Sequence, residues 1–205
     1  AWASVEQMLI ADDKAQKLFD VCFEVLDGPD APDLTIQELN QELVVMISND
    51  FNSNNYKEEY LEVDEVNIIG YYDSLQTLPY DNEYVFEGYQ IFQLRDETVT
   101  ASDIYNVDKA RLVFQSDVKN YRNIAGEITS EETDHPISRL INFEYSQDLQ
   151  ASIPKDMTLE DVGSMNQGIK HSVSITEDLF AVGNRTLVNH KTYYFVAISY
   201  AYNNY

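Results

Sequence analysis

The sequence has little cysteine and few basic residues, and both shortages limit what the protein can be. Its 205 residues include a single cysteine, Cys22, so no disulfide can form within the chain. Only 13 lysines and arginines stand against 36 aspartates and glutamates, which gives a net charge of −23. Because nucleic acids and anionic membrane surfaces are bound through basic residues, this balance argues against both as partners.

Long apolar runs and catalytic motifs are also missing. No apolar run approaches the roughly 20 residues that cross a bilayer, and the N-terminus lacks the basic and apolar stretches of a signal peptide, so we expect neither. The chain has no His-Glu-x-x-His, Cys-x-x-Cys or Gly-x-Ser-x-Gly motif and no phosphate-binding glycine pattern. We therefore predict that the protein is not an enzyme and has no catalytic residues. A hydrolase or its accessory domain stays as an alternative, because glycoside hydrolysis needs only a pair of carboxylates and the chain has 36 acidic residues.

Aromatic and β-branched residues are plentiful, and their spacing favours strands. Fifteen tyrosines and nine phenylalanines suit half-buried strands. Apolar segments separated by turn residues lie at 34–36, 43–47, 84–94, 110–115, 140–145 (a strand or a short helical turn), 169–176 and 193–202. The first two of these segments are separated by residues 40–42, which predicts either a hairpin or a crossing from one strand to the next. Residues 120–136 and 155–168 are predicted to be loops. Six or seven such strands indicate an antiparallel β-sandwich.

One helix precedes these strands. From Val5 to Leu26, apolar residues recur every three or four positions, which predicts an amphipathic helix within residues 1–28. Ser4 and Gln7 fit a capping box at its start, and Gly28-Pro29 ends it. Cys22 lies on the apolar stripe and is interpreted as a core residue rather than a nucleophile.

Several segments resemble a known family. Residues 29–50 (PDAPDLTIQELNQELVVMISND) look like strands A and B of a fibronectin type III-like domain. FEGYQIFQL resembles strand C, HSVSITEDLF resembles strand E, and LVNHKTYYFVAISYAYN resembles strand F. Three of these stretches are also similar to segments of large secreted proteins of Bacteroidota, of the kind exported by the type IX system. The resemblance implies a mainly β fold, a fibronectin III/Ig-like antiparallel β-sandwich over residues 29–205, and an extracellular or cell-surface location.

The chain departs from the fibronectin pattern in two places. The stretch between strands B and C, about residues 49–84, is too long for a simple loop and is predicted to be an insertion with a hairpin of its own. No strand follows F where the family has strand G. The closing strand is then expected to present an open edge that binds a protein partner, either a second copy or the rest of a longer polypeptide. The residues predicted for this edge strand are Tyr194, Val196, Ile198, Tyr200 and Tyr202.

A polar loop offers a candidate calcium site. In DFNSNN, oxygen-bearing side chains alternate as in the first half of an EF-hand loop, but the twelfth position is Leu61 instead of glutamate. The candidate ligands are Asp50, Asn52, Asn54, Glu58 and Glu59. The alternative is a solvated loop without a metal, and no other cofactor is predicted.

These features predict a non-catalytic structural, adhesive or assembly module of a secreted or cell-surface protein. The alternative is a glycan- or peptide-binding module that uses surface tyrosines, with Tyr71 and Tyr72 as the platform. Asp73-Ser74-Leu75 resembles the O-glycosylation motif of Bacteroidota, which makes Ser74 a candidate modification site.

Overall fold

The fold is mainly β. The computed structural model describes residues 8–9, 11–12, 15–16, 26–64, 82–123, 128–137, 141–146, 151–156 and 166–203. Within these ranges all strand pairs are antiparallel. The strands are β1 (Asp33–Leu39), β2 (Glu42–Ser48), β3 (Leu61–Val63), β4 (Glu83–Leu94), β5 (Ala110–Asp117), β6 (Tyr121–Arg122), β7 (Ile128–Thr129), β8 (His135–Pro136), β9 (Ile141–Ser146), β10 (Ala151–Asp156), β11 (Ser172–Ile175) and β12 (Tyr194–Asn203). Short 3-10 turns lie at Tyr56–Glu58 and Ala101–Asp103.

The first sheet has the strand order β1-β2-β11. β1 and β2 form a hairpin, which is one of the two arrangements predicted from the sequence. Leu39 lies opposite Glu42 at its closed end. Of the two turn residues, Gln41 has a positive φ of 58° and Asn40 does not, which is the pattern of a type II turn. β11 pairs with the other side of β2, from Ser172 opposite Met46 to Ile175 opposite Leu43.

The second sheet is built around β4, which is twelve residues long. β12 runs along one side of β4 over its whole length. The other side is shared, since β3 pairs with β4 near Glu83 and β5 pairs with it from Gly88 to Leu94. The closing strand of the sequence therefore pairs with the FEGYQIFQL stretch.

The two sheets share one hydrophobic core. Val45 and Ile47 of β2 pack in the same buried cluster as Tyr89 and Ile91 of β4 and Ala197 of β12. These side chains alternate with residues on the opposite face of each strand, which is the period-two pattern of a covered sheet face. Two antiparallel sheets around one core fit a β-sandwich.

β4 is buried on its second face as well. Phe92 of β4 packs with Ile104 and Ala110, and Val196 and Ile198 of β12 lie against this second cluster. Both faces of β4 are therefore covered, which explains its nearly unbroken run of buried residues.

Two stretches that the sequence indicated as loops contain strands. Within residues 120–136, β6 pairs with both β7 and β8 to form a small sheet. β10 pairs with β9 in a second small sheet, although Pro154 lies in its middle. Proline lacks an N–H and is tolerated on edge strands. The loop predicted for residues 120–136 is wrong at β6 to β8, and the loop predicted for residues 155–168 is wrong at Lys155 and Asp156.

Parts of the predicted organisation fall on residues outside the described ranges. Within residues 1–25, the six described positions are helical and exposed: Met8, Leu9, Ala11, Asp12, Ala15 and Gln16. The rest of the predicted helix lies outside the described residues, as do residues 65–81 of the predicted insertion. Of the insertion's described part, β3 adds to the second sheet. No helix among the described residues is long and apolar enough to cross a membrane.

Candidate functional site

The outer edge of β12 is the first candidate site. β12 pairs with β4 on one side, and among the described residues no second strand pairs with it. Eight of its ten residues are half-buried, with Ala197 and Asn203 buried. A strand with one neighbour presents unused backbone donors and acceptors, to which another strand can add.

The hydrogen bonds of β4 show which backbone groups of β12 face this edge. Along an antiparallel strand, successive residues direct their N–H and C=O groups to opposite sides. Glu87 accepts a hydrogen bond from the Val118 N–H (2.7 Å) and Arg95 donates to Lys109 (2.8 Å), so the odd-numbered residues of β4 from 87 to 95 face the β5 side. The even-numbered residues from 88 to 94 face β12, opposite Tyr200, Ile198, Val196 and Tyr194.

Those four β12 residues therefore direct their backbone groups toward β4. The Phe86 N–H donates to the Tyr60 C=O (3.2 Å), away from β12, and Phe86 lies opposite Ala201, so the alternation continues past the β-bulge between Tyr200 and Ala201. The backbone groups on the outer edge are those of Phe195, Ala197, Ser199 and Ala201.

The side chains of the predicted edge residues do not lie on this edge. Val196 and Ile198 pack against the second hydrophobic cluster, and the hydroxyl of Tyr194 donates to Glu97 at 3.4 Å. Tyr200 lies across Gly88 on the same face of the sheet. These side chains hold β12 in place, while the edge itself is formed by the backbone of the intervening residues.

The outer edge of β12 is uncharged, unlike that of β1. β12 contains no charged residue, proline or glycine over its ten residues. β1, at the edge of the first sheet, carries Asp33 and Glu38 and is mostly exposed. Charges on an edge strand discourage added strands, so β12 is the more favourable of these two edges for a partner.

The loop proposed as a calcium site does not gather its ligands around one point. Asp50 accepts hydrogen bonds from the backbone and side-chain N–H groups of Asn52 (2.8 and 3.0 Å), which hold the pKa of Asp50 below its ordinary value. Asn54 instead contacts the linker before β1, where it exchanges hydrogen bonds with Asp30 and donates to the Gly28 C=O (3.0 Å).

Glu58 from the same loop takes part in a different group of side chains. Its Oε1 lies 2.6 Å from Nε2 of His171 and accepts a 3.2 Å hydrogen bond from the hydroxyl of Tyr89. Asn49 donates to the same hydroxyl at 2.6 Å. The loop therefore fastens the first sheet to β4. Among the described residues, no three His, Cys, Asp or Glu side chains converge in a metal-binding group, and calcium binding at this loop stays a prediction.

The tyrosine platform and the glycosylation motif lie outside the described residues. Tyr71, Tyr72 and Ser74 all fall within residues 65–81. A groove of about 590 Å³ lies elsewhere, between the β1–β2 turn and the segment leading into β12. Its walls combine apolar side chains such as Ile36, Leu43 and Phe195 with the polar side chains of His190 and Lys191.

A buried polar cluster, missed by the sequence analysis, lies in the second sheet. Glu87 (3% exposed) sits at the β-bulge of β4, and Asp117 of β5 (0%) lies opposite the next residue, Gly88. Nδ2 of Asn120 donates to Oε2 of Glu87 at 2.8 Å. Asn166 accepts from the backbone N–H of Asn120 at 2.9 Å and donates its own backbone N–H to Oδ1 of Asp117. We call Glu87, Asp117, Asn120, Asn166 and Tyr200 the buried polar cluster.

Burial changes the protonation of this cluster. Desolvation raises the pKa of Glu87 to about 8 and the pKa of Asp117 to about 6, against the lowering effect of their hydrogen bonds. Burial and these two acids also raise the pKa of Tyr200. A sequence signal for the cluster does exist: Glu87-Gly88 interrupts an otherwise apolar strand, and charge is rare at such a position unless it has a function or a partner.

Comparisons with known proteins add no further assignment. No family model matches the chain, and neither the curated proteins nor the solved structures contain a match.

Proposed function

We propose that this chain is a non-catalytic, fibronectin III-like β-sandwich module of a secreted or cell-surface protein, which assembles by adding a strand to the outer edge of β12. The observation that carries the proposal is a ten-residue, uncharged strand that is hydrogen-bonded on one side by β4 and has no second strand among the described residues.

The order of the strands supports the fibronectin resemblance. β1, β2 and β11 are arranged as strands A, B and E are in such sandwiches, and β4 beside β12 corresponds to C beside F. Strand G of that family would lie beside F, which corresponds to the outer edge of β12. A strand from a second copy, or from another part of a longer polypeptide, fits this position.

The proposal is tested by blocking the edge at one residue. Ser199 directs its backbone N–H away from β4, so Ser199→Pro removes an edge donor without removing a β4–β12 hydrogen bond. We expect sedimentation of the wild-type chain to show concentration-dependent association and the proline variant to sediment as a monomer.

Ser199→Ala is the matched control. It removes the hydrogen bond from the Ser199 hydroxyl to the Asp30 C=O (2.7 Å), which the proline variant also loses, but keeps the edge N–H. This variant should associate like the wild type. A wild-type chain that stays monomeric at every concentration and binds no strand-forming peptide would contradict the assembly function.

Binding of a glycan or peptide is the second candidate function. The groove beside β12 favours it, because apolar walls and a few polar side chains are typical of ligand sites. Phe195→Ala should lower affinity in a glycan or peptide array, whereas Ile128→Ala, at a distant exposed position, should not. Equal binding by the two variants would place any ligand elsewhere.

A further inference from the structure

The buried polar cluster contains more oxygen acceptors than the described chain satisfies. Oε1 of Glu87, Oδ2 of Asp117 and Oδ1 of Asn120 have no hydrogen-bond partner among the described residues. All three side chains are more than nine-tenths buried. Buried polar atoms without a hydrogen-bond partner are rare, because each lowers the free energy of unfolding by about 1–3 kcal/mol. Three of them in one cluster therefore indicate a bound ligand.

The three oxygens belong to one local structure. Asp117 and Glu87 lie on adjacent strands, one residue apart in register, and the charge of Asp117 adds to the burial that raises the pKa of Glu87. Nδ2 of Asn120 donates a 2.8 Å hydrogen bond to Glu87, which places the side chain of Asn120 in the same cluster. The hydroxyl of Tyr200 adds a further unpartnered oxygen.

The chemistry of these groups favours a cation over water molecules. Water can satisfy hydrogen bonds but supplies no positive charge beside two neighbouring buried carboxyl groups, whereas a cation supplies that charge and takes their oxygens as ligands. Neither Glu87 nor Asp117 forms an ion pair with a lysine or arginine in the described part of the chain. Carboxylate, amide and hydroxyl oxygens, with no nitrogen or sulfur donor, are the ligands that calcium prefers.

We propose that the buried polar cluster binds one calcium ion through Glu87, Asp117 and Asn120, with the hydroxyl of Tyr200 beside it. The site is distinct from the loop of Asp50, and the ion would tie β4, β5 and β12 together at the β-bulge. Binding would then stabilise the strand whose outer edge carries the proposed function.

The test is a calcium titration of the chelator-treated chain. We expect calorimetry to show one bound ion per chain. Thermal unfolding should shift upward by roughly 5–10 °C at about a hundred times the dissociation constant. Glu87→Gln and Asp117→Asn should both lose this shift. Each replaces a buried carboxyl group by a neutral amide of nearly the same shape, so their melting temperatures without calcium should equal or exceed that of the wild type.

Two control variants identify the site. Glu132→Gln makes the same chemical change at an exposed acid paired with Lys119 and should keep the full calcium shift. Asp50→Asn, in the polar loop, should keep it as well. The proposal fails if the wild type shows no shift, or if Asp50→Asn abolishes the shift while Glu87→Gln and Asp117→Asn retain it.

Terbium provides a second measurement that does not depend on folding of the carboxylate variants. Terbium replaces calcium at oxygen sites and emits when a neighbouring tyrosine is excited. We expect calcium-reversible emission from the wild type and much weaker emission from Tyr200→Phe, because the hydroxyl of Tyr200 lies in the cluster beside Gly88 and interacts with both acids. Emission unchanged by Tyr200→Phe would overturn the assignment.

Discussion

At the scale of single residues, Gly88 shows how closely three strands approach at the buried polar cluster. It lies opposite Tyr200 on β12 and Asp117 on β5. A Cβ at this position would lie 2.3 Å from the backbone oxygen of Ser116 and 2.5 Å from the hydroxyl of Tyr200. The first of these atoms belongs to a strand backbone, which cannot move without disturbing its ladder. Glycine is required here for space.

Gly88→Ala is therefore predicted to destabilise the fold. Overpacking of this kind costs about 1–3 kcal/mol, and the loss should appear in urea unfolding as a lower midpoint with an unchanged slope. Gly28→Ala is the matched control, since a Cβ there has no neighbour within 4 Å, and its stability should be unchanged or slightly higher. Equal effects of the two substitutions would show that the sheet relaxes around residue 88.

At the scale of secondary-structure elements, a buried acid holds the β11–β12 connection against β4. Asp178 is 2% exposed. Its Oδ1 accepts a hydrogen bond from Gln93 of β4 (2.8 Å), and its Oδ2 pairs with Lys191 at 2.5 Å. Gln93 in turn accepts from the Leu179 N–H at 2.8 Å. The long connection thereby enters β12 in a defined position.

The loss of stability caused by Asp178→Asn should depend on pH if Asp178 holds this connection as a carboxylate. Burial acts to raise the pKa of Asp178, but the hydrogen bonds from Lys191, Gln93 and the Phe180 N–H lower it below the ordinary value of 3.8. A lowered carboxyl pKa stabilises the fold above pH 3.8, and this contribution is lost as pH falls through the folded-state pKa. We expect the variant to lose about 1–3 kcal/mol near pH 7 by urea unfolding, and the gap to wild type to narrow below pH 4.

The exposed ion pair between Asp103 and Lys109 provides the comparison for this prediction. The two groups are 2.7 Å apart, with side chains 22% and 47% exposed respectively, and the pair lowers the pKa of Asp103 to about 2. Asp103→Asn should cost less than Asp178→Asn, because solvent screens exposed pairs. A larger loss in Asp103→Asn would contradict the assigned role of Asp178.

At the scale of the whole molecule, the excess of negative charge opposes the folded state. Only 13 basic residues offset the 36 acidic ones, which leaves a net charge of −23 over 205 residues. Mutual repulsion among the acids is greater in the compact form than in the expanded unfolded chain. Salt shortens the distance over which these charges act.

Sodium chloride should therefore raise the melting temperature of the chelator-treated chain. A variant with three exposed acids neutralised, Glu38→Gln, Glu131→Gln and Glu177→Gln, should melt higher at low salt and respond less to added salt. The measurement is thermal unfolding followed by circular dichroism over a salt series. A melting temperature that falls with added salt would show that attractive pairs outweigh the repulsion.

Several elements of the fold could be predicted from the sequence alone. Alternation and turn residues predict the strands β2, β4 and β12, and they gave the β1–β2 hairpin as one of two alternatives. The pairing of β4 with β12 agrees with the places that the fibronectin resemblance gives these two segments. β10 was missed because Pro154 argues against a strand, and β6 to β8 were missed because they are two residues long and carry little pattern. The loop of Asp50 has the spacing of a calcium loop, but its carboxylate is already held by Asn52.

What the sequence by itself determined is local and compositional: the strand-forming segments, the acidic surface, and the lack of charge in β12. Only the tertiary structure decided which side of β12 has no strand from the described residues, because that depends on the alternating direction of backbone groups along β4. It also brought Glu87, Asp117 and Asn120 together from separate parts of the chain. Residues this far apart in sequence meet because a β-bulge and strand register place them side by side, and neither can be read from spacing.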